Sequence, residues 1–100
     1  MNISKTEQDG AIVFSLDGWL DANTSPELGE EIERVETAKE LVLDFEKVEY
    51  LSSAGLRQVV AAHRKAKELG AAFSVTKVGT EVMSIFKLTA LDKKMNIQPR

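Results

Sequence analysis

One hundred residues, 43% hydrophobic and 29% charged, form a chain long enough for one domain with its own core, and this composition excludes collagen, low complexity and wholesale disorder. Cysteine is absent and histidine occurs once, so a disulfide framework, thiol chemistry and Cys-based zinc sites are excluded as well. The net charge is −3 but uneven, with nine acids and two bases from Met1 to Glu36 against three acids and eight bases from Ala61 to Arg100.

In chain order, Ile3 to Thr6 reads as a short strand and Asp9-Gly10 as the turn after it. Ile12, Phe14 and Leu16 alternate with Val13, Ser15 and Asp17, which predicts a second strand with one apolar face. Gly18 is expected to close it, leaving Trp19 to Asn23 as a loop. Thr24 or Ser25 then caps a helix, with Pro26 in the first turn and Glu27 completing a Thr24–Glu27 capping box. Leu28, Ile32 and Val35 fall at helical spacing, and Glu27, Glu30, Glu31, Glu33 and Glu36 take the wet side.

Leu41-Val42-Leu43 is a continuous apolar run, which predicts a central strand covered on both faces. Val48 and Tyr50 keep a period of two beyond it. Ser52 and Ser53 are N-cap types, and a helical pattern follows to Leu69 with Leu56, Val59, Val60, His63 and Ala66 near one stripe. Gly70 stops that helix. Phe73, Val75 and Lys77 alternate with Ser74, Thr76 and Val78 in a further strand. Gly79-Thr80 opens a third helix carrying Val82, Ile85, Phe86 and Leu88, and Met95 with Ile97 marks a last strand. Strands alternating with helices give an α/β fold: one domain over 1–100, a small mixed, mostly parallel sheet of about five strands, with three or four helices.

Most chemistry is eliminated by spacing. A nucleophile elbow needs Gly two positions before and two after its Ser; around Ser53 those positions hold Leu51 and Gly55. The single His63 lies ten residues along the same helix, roughly 15 Å of rise away, beyond hydrogen-bond reach. It reads as a structural histidine on the apolar stripe. The six glycines form no phosphate-binding loop, and the paired acids fall on a solvated helix face with no calcium-loop spacing. Neither a catalytic residue, a metal ligand set nor a cofactor is expected. Arg64-Lys65-Lys67 with Lys93-Lys94 is too thin a basic footprint for nucleic acid on an acidic chain. No apolar run reaches the ~20 residues of a membrane span, and the N-terminal segment lacks a signal-peptide core, so a cytoplasmic protein without membrane insertion is expected. Trp19 reads either as a lid half-buried on the core or as an exposed partner-binding aromatic.

Ser52-Ser53-Ala54-Gly55-Leu56 also admits two readings. One is a plain N-cap pair, worth ~1 kcal/mol. The other is a phosphorylation switch: phosphate at a helix N-terminus meets free N–H groups and the positive dipole end, while a partner lying across it meets about −2 of new charge.

The stretch Leu41-Val42-Leu43-Asp44-Phe45-Glu46-Lys47-Val48-Glu49-Tyr50-Leu51-Ser52-Ser53-Ala54-Gly55-Leu56 resembles the STAS domain signature of bacterial anti-sigma factor antagonists. Gly18-Trp19-Leu20-Asp21-Ala22-Asn23-Thr24 is similar to the family's Gly-x-Leu-Asp-x-x-Thr segment. The resemblance implies a STAS-like fold and a partner-switching protein. It would bind an anti-sigma factor with serine kinase activity and free a sigma factor. Phosphorylation of Ser53 would release it, and a PP2C-type phosphatase would reset it. Asp21, Thr24, Ser52, Ser53, Ala54 and Gly55 are the implied partner-binding positions. One departure is that Ser52 stands where the family usually has Asp, which removes a charge and makes Ser52 an alternative acceptor. A non-phosphorylated accessory subunit, such as one docked on a lipid-transport ATPase, is the alternative function.

Overall fold

The computed structural model describes residues 1–100. The elements are β1 (Asn2–Gln8), β2 (Ala11–Leu20), α1 (Ser25–Glu33), β3 (Glu40–Leu51), α2 (Ser53–Leu69), β4 (Ala72–Val78), α3 (Thr80–Leu88), a 3-10 turn (Leu91–Lys93) and β5 (Asn96–Pro99). They form one sheet in the order β1-β2-β3-β4-β5. The Asp9-Gly10 turn makes β1 antiparallel to β2, and the other pairs are parallel. The α/β expectation of about five strands and three or four helices therefore holds.

The sheet order follows the chain order. Each β-α-β step moves one strand further in the same direction, and right-handed crossovers then put all three helices on one face. That corrects the expectation that β3 is covered on both sides. Leu41, Leu43 and Phe45 are buried, whereas Val42 and Asp44 between them are half-buried on the helix-free face. The apolar run is continuous because Val42 sits in a cross-strand row with Thr6, Val13 and Ser74, where β-branched neighbours support one another.

Twenty buried side chains form a single core between sheet and helices, with the Phe45 and Phe86 rings 6.1 Å apart across it. Ala62, outside the expected stripe, is fully buried on α2 together with Val59 and Ala66. Leu88, expected with the α3 core residues, is 86% exposed. Lys77, expected in phase with Phe73 and Val75, instead has φ 57° at a break in the β4–β5 register. The extra residue flips the alternation, so Val78 is buried and the Lys77 ammonium points to Asp44, 3.7 Å away.

Gly18 does not end β2. It sits at φ 122°, beside shifts in the β2–β3 register, and the strand continues through Trp19 and Leu20. Glycine tolerates that backbone where an L side chain would be strained. Pairing of Trp19 with Tyr50 and of Leu20 with Leu51 thus carries both strands onward to the segments that resemble the family motifs.

Candidate functional site

The paired ends of β2 and β3 deliver two short segments to one end of the sheet: Asp21–Thr24 and Ser52–Ser53. The first is held by a reciprocal pair. Asp21 N–H donates to Thr24 Oγ1 at 3.0 Å, while Asp21 Oδ1 accepts from the N–H groups of Asn23 and Thr24 at 2.9 and 3.1 Å. Thr24 Oγ1 lies 2.6 Å from the Trp19 carbonyl and donates to it. The expected Thr24–Glu27 capping box is therefore absent. The Thr24 hydroxyl and N–H are both spent on the Asp21 turn, and Thr24 makes no side-chain cap to α1.

The second segment separates the two serines. Ser52 is the N-cap of α2: its N–H donates to Leu20 O at 3.0 Å, and its Oγ accepts from Gly55 N–H at 3.2 Å. Ser53 is the first residue of α2, is exposed, and has no hydrogen-bond partner for its hydroxyl. Gly55 is buried directly beneath. A Cβ there would collide with the Leu20 carbonyl oxygen and crowd Leu20 Cγ and Leu51 Cδ1, each 2.9 Å away. Gly55 therefore lets α2 seat tightly on the β2–β3 ends rather than presenting a contact surface.

These parts border an open depression of about 880 Å³. Asp21, Ser52, Ser53 and Ala54 lie on its rim, while Thr24 and Gly55 hold the rim from behind. Trp19 and Tyr50 also face it, with ring centroids 5.2 Å apart and exposures of 57% and 46%. Trp19 is thus exposed and does not lie half-buried as a lid on the core. Sequence reasoning did not single out Tyr50, Arg57, Ile85 or Thr89, which complete the depression. The four-residue spacing from Ser53 to Arg57 was the one readable signal among them; α3 reaches the site only through packing.

His63 is half-buried elsewhere on α2, its ring 5.3 Å from that of Phe73. Burial, and secondarily the Lys67 ammonium, hold its pKa below 6.5. No cluster of three or more His, Asp or Glu is arranged to hold a metal ion. The depression thus brings together a free hydroxyl at a helix N-terminus, two exposed aromatic rings and one carboxylate.

The family model of the STAS domain matches residues 2–100. The chain belongs to the STAS domain family. An anti-sigma factor antagonist from Mycobacterium paratuberculosis is 31% identical and superposes with a TM-score of 0.88, over 99% of this chain and 86% of that one. A putative anti-sigma factor antagonist from Thermotoga maritima superposes with a TM-score of 0.86 at 16% identity, over 98% and 86%. The Bacillus cell fate determinant SpoIIAA, in its phosphorylated form, gives 0.76 at 15% identity, over 96% and 90%. The last two likenesses establish the STAS fold alone. In this STAS domain the depression lies where the two sequence segments that resemble the family motifs meet.

Proposed function

We propose that this STAS domain is an anti-sigma factor antagonist that binds an anti-sigma factor with serine kinase activity and is released by phosphorylation of Ser53. A PP2C-type phosphatase would restore the binding form, and the exchange would take place in the cytoplasm. The carrying observation is the division of labour between the serines. Ser52 Oγ is engaged in capping Gly55 N–H, whereas the Ser53 hydroxyl is exposed and unpartnered on the depression. The similarity to the Mycobacterium antagonist supports the same role.

The physical logic is a mismatch of environments. A phosphate on Ser53 meets free N–H groups and the dipole of α2, so the domain tolerates it. A partner covering the depression instead faces about −2 of new charge in a desolvated interface. Release then needs no change of fold. No helix of the chain is long and apolar enough to cross a membrane.

The test is incubation with ATP and an anti-sigma factor kinase encoded in the same genome, read by intact mass and peptide mapping. One phosphate on Ser53, lost in Ser53→Ala and retained in Ser52→Ala, is the expected result. Phosphate on Ser52 with Ser53→Ala still released would reverse the choice of serine. Binding with phosphate on neither would replace the switch with the non-phosphorylated accessory subunit.

A further inference from the structure

Ser53 and Arg57 lie about one turn apart on α2, both exposed and both on the rim of the depression. Helical side chains tilt toward the N-terminus, so Arg57 at i+4 leans back toward Ser53. An anion N-terminal to a cation at this spacing is the favoured order for a helical ion pair.

Arg57 has no anion of its own. The two ion pairs of the molecule are Arg34–Glu31 and Lys77–Asp44. Its helical neighbours at three and four residues are Ser53, Ala54, Val60 and Ala61, none of them acidic. It also stands in the second turn of a helix with no acid in its first turn, toward the positive end of the dipole where a cation is disfavoured. The other charged side chain on the depression is Asp21, whose Oδ1 is occupied by backbone N–H groups; Tyr50 is the remaining titratable group there.

Resting on the reading of Ser53 as the acceptor, we propose that Arg57 is the intramolecular counter-charge for a phosphate on Ser53. Its guanidinium fork matches phosphate geometry and holds the group against the N-terminal turn of α2. Phosphorylation then acts twice on a bound partner: it adds negative charge, and it withdraws Arg57 from the surface the partner covers.

The experiment installs phosphoserine at position 53 during translation, so no kinase is needed, and follows the second phosphate ionisation by phosphorus NMR. Phosphoserine ordinarily ionises near pH ~6. Arg57→Gln should raise that pKa by about half a unit or more relative to the phosphorylated wild type, a sizeable fraction of the ~1.4 kcal/mol in one unit. Arg57→Lys, which keeps the charge without the fork, should fall between. Arg64→Gln, on the same helix and also exposed, should leave the pKa unchanged. Coincident curves for wild type and Arg57→Gln would overturn the pairing, as would an equal shift in Arg64→Gln, which would mark a general field effect. Because the phosphate is installed directly, a kinase that fails to modify Ser53 defeats the proposed function without altering this result.

Discussion

Gly55 occupies the first turn of a helix, where alanine would raise intrinsic helix propensity by about 1 kcal/mol. The added Cβ, however, would meet the Leu20 carbonyl oxygen, which is backbone and already accepts the Ser52 N–H. Neither α2 nor β2 can yield without disturbing the paired strand ends. Gly55→Ala should therefore destabilise, by ~1–3 kcal/mol as in other overpacked sites, and Gly55→Val by more; urea midpoints measure both, and a stabilised Gly55→Ala would refute the close approach. His63 offers a second residue-scale expectation. Its folded pKa lies below 6.5, so the unfolded chain binds the proton more readily. The stabilisation from neutral His63 is complete above 6.5 and is lost as pH falls through the depressed folded value. His63→Gln should flatten the dependence of the urea midpoint on pH in that window, and an unaltered slope would argue against a depressed pKa.

β3 is the central strand, and Glu40–Asp44 of it are paired on both sides. Leu43 is fully buried between Phe14 and Val75 in register. Leu43→Ala should cost ~2–5 kcal/mol, against ~0.2–0.5 kcal/mol from exposed positions such as Leu88→Ala, where surface changes are small. Chemical denaturation of the two variants separates them; similar midpoints would contradict the placement of β3. The extension of β2 past Gly18 is an element-scale feature with its own consequence. Trp19 is the single tryptophan and is exposed beside Tyr50 on the depression. Its fluorescence should be that of a wet indole in the free protein and should shift to the blue when a partner covers Ser53. An emission maximum unmoved at saturation would place the partner elsewhere.

At the scale of the whole molecule, one core of twenty buried residues joins every helix to the sheet. A cooperative transition is expected, with total stability of ~5–15 kcal/mol. Ser53 lies outside this core at one end of the sheet, so Ser53→Asp should leave the circular dichroism spectrum and the melting temperature near wild type. On the proposed function, the same variant should weaken binding of an anti-sigma factor by about 30-fold or more, the equivalent of ~2 kcal/mol. Calorimetric titration reads the affinity. Equal affinity for wild type and Ser53→Asp, with both folded, would remove the electrostatic basis of the proposed switch.

The element order, the helix stop at Gly70, a serine N-cap at Ser52-Ser53 and the alternating strand Ile12–Leu16 were legible in the sequence because each is a local signal: backbone sterics, a short hydroxyl, or a period of two. The candidate serine and its family motif were legible for the same reason, being contiguous in the chain. Local signals could not show that β3 is covered on one face only, since an apolar run looks alike whether Val42 packs under a helix or beside Val13 in an open row. Nor could they show that Lys77 and Val78 exchange faces, or that β2 runs on past Gly18, because a bulge is settled by pairing with the neighbouring strand. The division between Ser52 and Ser53 and the meeting of Trp19, Tyr50, Arg57 and Ile85 around one depression were likewise decided by tertiary structure. Those residues are brought together by strand register and helix docking, and no periodicity along the chain encodes a distance between elements.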